Sequence, residues 1–220
     1  MRTVGFSVLT AIGPQAQVGV RLCERQHRLR AAHRVAGRVF VGSATGAVYS
    51  LDAKTGCTYW TFTAQAGVRT AMTVGSRKVA SGEASTVYYF PVSDPREQQP
   101  GGLHAVRLDT GDRVWFAPPP PLKCGTGAGC TAAQSAAITV IPGAVFSGSF
   151  DGAIRARRLE SSGEFDTNRE FDTVNGVIDK GASIGGAAGP AVVGGMVYVS
   201  SGYSGPAGRA GNVLLAFEVD

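Results

Sequence analysis

The sequence predicts an all-β fold, built from short antiparallel strands in recurring four-stranded units, and three observations carry that expectation. Of the 220 residues, 44% are hydrophobic, 17% are charged and 31 are glycine. Glycine weakens helix interiors and marks turns, so this composition disfavours a long-helix bundle. Short runs of alternating apolar and polar residues, closed by glycine, read as half-buried strands. The third observation is an internal repeat at a spacing of about 40 to 60 residues.

The chain opens MRTVGFSVLTAIGPQAQ, with a charged first turn and a short apolar stretch interrupted by Gly5. It lacks a clean A-x-A cleavage site, which makes it a poor signal peptide. No run of about 18 apolar residues exists, so no membrane-spanning helix is expected. The net charge of +5 is concentrated at this end, where residues 1–38 carry seven arginines and a single acid, leaving the rest near −1. A near-neutral body has no basic face to track a phosphate backbone, which argues against nucleic-acid binding. Residues 1–34 are expected to form a basic, disordered leader and 35–220 one incomplete repeat domain.

The first unit, VFVGSATGAVYSLDAKTGCTYW, runs from Val39 to Trp60. It reads as a strand, a small turn at Ala44 to Gly46, a strand ending in LD, a TG turn, and a strand reaching a tryptophan. Val79 to Phe90 (VASGEASTVYYF) restates its first part, and Leu103 to Trp115 (LHAVRLDTGDRVW) its second, with Gly111 for Gly56 and Trp115 for Trp60. Val145 to Ala156 (VFSGSFDGAIRA) restates the first part again, and MVYVSSGY with GNVLLAFEVD forms a last copy. Further apolar runs at Thr70 to Val74, Ala136 to Ile141 and Pro190 to Val193 precede most units.

Four short antiparallel strands recurring in this way are the pattern of propeller blades, with a meander or sandwich as the plainer alternative. Each tryptophan offers a large flat surface to wedge against the neighbouring blade, so Trp60 and Trp115 are expected to be buried between sheets. Between Tyr89 and Leu103 the segment PVSDPREQQPGG interrupts the pattern. Either one blade carries a long insertion, or blades are missing at a junction near Phe90/Pro91.

The repeats resemble the quinoprotein propellers, alcohol dehydrogenases that use pyrroloquinoline quinone. LDAKTGCTYW resembles their tryptophan-docking motif, and AVRLDTGDRVW the same motif with Arg107 in place of its aspartate. GRVFVGSATGAVYSLDAKTGCTYWTFTAQAGVRTA resembles an early blade of the polyvinyl alcohol dehydrogenase group. PVSDP, GGLHA, AQSAAITVIPGAVFSGSFDG, FDTVNGV and SGYSGPAGRAGNVLLAFEVD resemble its last two blades. The resemblance implies an eight-bladed ring, of which about four blade equivalents stand here, so a partial propeller forming an open arc is expected.

It further implies PQQ-dependent oxidation of secondary alcohols such as polyvinyl alcohol, with calcium as a second cofactor and a cytochrome c as electron acceptor. A periplasmic or secreted location follows from the same likeness, and so does weak or absent activity of this chain alone. The chain has no CxxCH and hence no haem site. A catalytically silent propeller scaffold that binds proteins is the alternative. Leu159 to Glu170 (LESSGEFDTNRE) departs from the docking motif, with Ser162 and Gly163 for the TG pair and no tryptophan.

Candidate site residues come from position in a propeller, where the innermost strands line the channel and ligands sit at its mouth. GVRTAM places Arg69 and Thr70 there, and AAQSAA places Gln134 and Ser135 at the equivalent point. Arginine's fork suits one of the quinone's three carboxylates. Asn175 and Lys180, on the loop to the next inner strand, are candidate donors to a quinone oxygen. The ordinary alternative is that all six satisfy loop backbone groups. His104 is expected half-buried or exposed, and the carboxylates of DPRE, FDT and DTGD solvated. No metal ligand or catalytic base is assigned. Cys124 and Cys130 bound a glycine-rich loop that either closes as a disulfide or leaves two thiols.

Overall fold

A computed structural model describes residues 18–21, 26–78, 84–94, 101–119, 121–122, 124, 129–158, 169–172, 183–186, 188–202, 208–211 and 213–218. Among them there is no helix, and every sheet but one is antiparallel. The first sheet holds β1 (Val18–Arg21), β2 (Gln26–Val35), β3 (Arg38–Ser43), β4 (Ala47–Asp52) and β5 (Thr58–Thr63) in chain order. The second holds β6 (Thr73–Lys78), β7 (Ala84–Pro91), β8 (Leu103–Arg107) and β9 (Arg113–Ala117). After β10 (Ser135–Ala136), the third holds β11 (Thr139–Ile141), β12 (Ala144–Gly148), β13 (Ala153–Arg158) and β14 (Arg169–Asp172). After β15 (Gly185–Gly186), the last holds β16 (Ala191–Val193), β17 (Met196–Ser201) and β18 (Val213–Glu218).

Each of these four antiparallel sheets is a blade, and consecutive blades stack face to face without closing into a ring. Strand alternation explains the stacking. In β3 and β4, Phe40 and Val48 point to one side and pack with Tyr88, Phe90 and Val106 of the second blade. Val41, Tyr49 and Leu51 form a separate buried cluster on the other side. Val87, Tyr89, Ala105 and Trp115 carry the second blade onto Ile138 and Val145. Phe146 and Ile154 carry the third onto Val197 and Val199. The last blade has three described strands, and its far face leaves Val193 and Leu214 exposed.

Both tryptophans dock as the repeats predict. Trp60 is buried, donates from Nε1 to the Leu108 carbonyl at 3.1 Å, and lies against Gly111 in the next blade's TG turn. That glycine has φ +79°, and a Cβ there would come within 2.6 Å of the indole. The position therefore demands glycine both for its left-handed backbone and for the ring above it.

The turns themselves share one backbone. Gly56 N–H donates to Asp52 O and Gly111 N–H to Arg107 O. In the first, Asp52 accepts bonds from the Tyr59 hydroxyl, from Thr55 and from the Lys54 N–H, and these hold its carboxyl well below the usual range, the Tyr59 bond most of all. In the second, Arg107 replaces that aspartate and pairs with Asp109 at 2.9 Å.

The structure corrects one reading of the chain and narrows another. Composition sets residues 1–34 apart as a leader, yet 18–21 and 26–35 are strand, and β2 pairs with β3 through Val35↔Arg38 to Ala31↔Gly42. The inner edge of β3 needs a partner for its backbone groups, and the preceding segment supplies it. Of the two alternatives at Phe90/Pro91, the described residues favour one blade with a long insertion: β7 runs through Phe90 to Pro91 and pairs directly with β8. Residues 73–117 therefore form one whole blade, whose second connection is enlarged from Ala44–Gly46 in the first blade to 92–102 here. The atypical docking segment at 159–168 lies outside the described residues.

Cys124 and Cys130 form a disulfide, and Cys57 is also disulfide-bonded. Replacing Cys124 and Cys130 with serine removes a cross-link over a separation of 6 residues. A loss of about 2 kcal/mol is expected from the loop-closure entropy. Urea denaturation of the double variant, beside the parent, measures it.

Candidate functional site

The inner ends of the blades are joined by a ladder of backbone bonds. Val68 N–H donates to Ser43 O, Ser93 N–H to Gly67 O, and Gln134 N–H to Val92 O. Phe150 N–H then donates to Ala133 O and Ile184 N–H to Ser149 O. Each step links the end of β3, β7 or β12 to the segment entering the next blade, or one such segment to the end of the strand beside it. Alongside it, β10 and β15 pair in parallel, Ser135 opposite Gly185. Three entering segments, 64–72, 131–136 and 183–186, thereby lie in succession along one rim.

Four of the six candidate residues stand on that rim. Arg69 Nη2 bonds Asp94 Oδ2 at 2.7 Å, with the arginine side chain 40% exposed and the aspartate 9%. Gly67 lets the arginine fold back, since a Cβ there would meet both Ala44 O and Arg69 Nε at 2.9 Å. Ser135 Oγ is hydrogen-bonded to Ser93 Oγ, joining the second entering segment to the end of β7. Gln134 is buried and its Oε1 has no hydrogen-bond partner; the same holds for Thr70 Oγ1. Asn175 and Lys180 lie outside the described residues.

The cluster thus presents a partly open guanidinium braced by a carboxylate, and two enclosed oxygens without partners. Such oxygens are costly in a folded chain and are explained when a ligand or ordered water bonds them. An arginine and hydroxyl and carboxamide groups suit a planar, carboxylate-bearing ligand. They do not suit a metal ion: among the described residues no three His, Cys, Asp or Glu side chains converge to hold one.

Sequence reasoning missed three features here. Asp94, taken with the solvated carboxylates of DPRE, is buried against Arg69. A buried serine stands at or just after the ends of β3, β7, β12 and β17, at Ser43, Ser93, Ser149 and Ser201, and that recurrence was visible in GSA, VSD, GSF and SSG. Behind Ser149, Arg155 and Asp151 form a buried ion pair at 2.5 Å, and Ser149 Oγ accepts from Arg155. This last cluster holds the turn between β12 and β13, where Ala153 N–H donates to Asp151 Oδ1.

Fold and rim together define a partial β-propeller of the quinoprotein type. A family model described as outer membrane protein assembly factor BamB, of the PQQ_2 kind, matches residues 15–96. Polyvinylalcohol dehydrogenase of a Pseudomonas species is 36% identical over 198 residues, 83% of this chain and 30% of that protein. The polyvinylalcohol dehydrogenase of Sphingopyxis sp. (strain 113P3) is 34% identical over 203 residues, with the same coverage. The chain therefore spans 30% of the length of these curated relatives. Among solved structures, a quinohemoprotein alcohol dehydrogenase of Pseudomonas putida HK5 superposes with a TM-score of 0.54 at 18% identity, over 79% of this chain and 28% of that one. The chain is similar to quinoprotein alcohol dehydrogenases in fold, and to polyvinylalcohol dehydrogenases in sequence over most of its length. No helix among the described residues is long and apolar enough to cross a membrane.

Proposed function

We propose that the chain serves in PQQ-dependent oxidation of secondary alcohols such as polyvinyl alcohol, as an incomplete unit with weak or no activity alone. The observation that supports this reading is the rim, where Arg69 and Thr70 stand on one entering segment and Gln134 and Ser135 on the next, and two of them hold unpartnered buried oxygens. When bound, the quinone supplies a two-electron acceptor for the alcohol. Arg69 orients it through a carboxylate, and Asp94 fixes Arg69. Thr70 and Gln134 receive polar contacts from it, and Asn175 and Lys180 add donors. Calcium and a cytochrome c acceptor complete the proposal by likeness to the family, but calcium has no ligand set among the described residues and no step is drawn through it. A periplasmic or secreted location agrees with the disulfide at Cys124–Cys130, since disulfides persist in oxidising compartments.

Titrating the purified chain with pyrroloquinoline quinone, with and without calcium chloride, tests the reading by calorimetry and by quinone absorbance. Micromolar binding is expected, with little dye reduction in the presence of a secondary alcohol, because an open arc leaves the rim wet. Arg69→Ala is expected to weaken binding roughly 10- to 100-fold, the loss of a charge-assisted pair. Absence of quinone binding to the parent chain overturns the reading in favour of a non-catalytic scaffold for proteins. The description of the family model over residues 15–96 favours that second reading.

A further inference from the structure

Arg209 has an enclosed and unsatisfied side to its guanidinium. Its Nε and Nη2 atoms are buried and make no hydrogen bond, and among the described residues it forms no ion pair. These two nitrogens are the edge of the fork whose N–H bonds run parallel, the edge that meets both oxygens of a carboxylate. A desolvated cationic edge with nothing to donate to is unfavourable until such an anion arrives.

The residue is also held in place. Arg209 N–H donates to Ser183 Oγ at 2.8 Å, and Ser183 N–H donates back to Arg209 O at 3.3 Å. Ser183 Oγ in turn donates to Phe150 O at 2.7 Å, and Phe150 N–H bonds Ala133 O, beside Gln134. On its other flank the stem meets Gly129 of the disulfide loop, where a Cβ would stand 3.0 Å from Arg209 Cγ. Arg209 therefore sits on the same rim as Gln134, one entering segment further along and away from Arg69.

We propose that Arg209 is a carboxylate-binding residue of this rim, taking both oxygens of one carboxylate through Nε and Nη2. The inference rests on the quinone reading for one source of that carboxylate. A carboxylate on the alcohol substrate is the other source. Arg69, on the segment entering the second blade, and Arg209, in the connection from β17 to β18, then grip an extended anionic ligand from two sides of the segment that carries Gln134.

The test compares the parent chain with Arg209→Lys and Arg209→Gly by calorimetry, using pyrroloquinoline quinone, its trimethyl ester and 3-hydroxybutyrate as probes. Circular dichroism and melting confirm that each variant is folded. Arg209→Lys is expected to lose about tenfold in affinity for a carboxylated probe, because the ammonium cannot engage two oxygens at once. Guanidinium ion at millimolar concentration is expected to restore binding to Arg209→Gly. Loss toward the quinone but not its ester or 3-hydroxybutyrate assigns the carboxylate to the cofactor. Loss toward 3-hydroxybutyrate alone assigns it to the substrate. A parent chain that binds the quinone, with both variants within twofold for every probe, overturns this inference and leaves the quinone reading standing. A parent chain that binds none of the probes overturns both.

Discussion

Replacing Trp60 by alanine is expected to destabilise the chain by about 3 to 5 kcal/mol, the range for deleting a buried aromatic. The ring is 8% exposed, tilted against Phe40 with centroids 5.7 Å apart, and seated on Gly111. Its deletion also strips the Leu108 carbonyl of its donor. The void opens at the seam between two blades, and filling it requires one blade to slide on the other. The bonds from Val68 to Ser43 and from Ser93 to Gly67 resist that slide. Little relaxation is available, so the upper part of the range applies. For a chain of this size the melting temperature is expected to fall by roughly 10 °C. Thr61→Ala, on an exposed position of the same strand, serves as the control and is expected to change nothing measurable. Gly111→Ala drives a methyl into the indole from the other side, so the double variant with Trp60→Ala is expected to lose less than the sum of the two. A melting temperature for Trp60→Ala equal to the parent's contradicts the docking account.

That docking was legible because tryptophan and the TG turn recur at one spacing, and the blade class followed from it. What alternation failed to show was exposure. In a lone sheet with one wet face, LHAV marks His104 as outward. In stacked blades both faces are covered, and Leu103, His104, Ala105 and Val106 are all buried. Alternation there sorts side chains between two neighbours, not between core and water. Strand β2 was hidden for a related reason: QHRLRAAHRV reads as charge, though its backbone satisfies the edge of β3. The placement of Gln134 and Arg69 on the segments entering the blades was reachable from position alone. Asp94 and Arg209 were not, since their roles depend on partners 25 and 26 residues away through folded contacts.

His104 makes the chain expected to weaken steeply in mild acid. The imidazole is 3% exposed and stacks between Phe90 and Phe116, at centroid distances of 5.2 and 4.4 Å, with Phe62 edge-on at 5.1 Å. Nε2 bonds Gln65 Oε1 at 2.8 Å, and Gln65 Nε2 donates onward to Gly101 O. Gln65 can offer its oxygen only to an N–H, so Nε2 carries the proton in the neutral ring. Nδ1 is buried with no hydrogen-bond partner and thus has no acceptor for a second proton. Burial foremost, and the charge of Arg113 after it, pull the imidazole down to about 3. An unfolded histidine titrates near 6.5. Between these values the unfolded chain binds more protons than the folded one, so stability rises with pH across the window. The contribution is complete above pH 6.5 and is lost as pH falls through about 3. Integrated over the window it amounts to roughly 4 to 5 kcal/mol. Asp52 and Asp109 act lower down: their carboxyls are depressed from an ordinary value of 3.8, so what they add is lost only below it. Neither adds to the fall between pH 6.5 and 4, where His104 takes up its proton only in the unfolded chain. Urea midpoints measured from pH 7 to pH 4 are expected to drop for the parent chain. They are expected to stay nearly level for His104→Phe, which keeps the stacking and cannot take up a proton. His27 and His33 are common to both chains and cancel in the comparison. Parallel pH curves for parent and variant are the result that contradicts an enclosed, neutral His104.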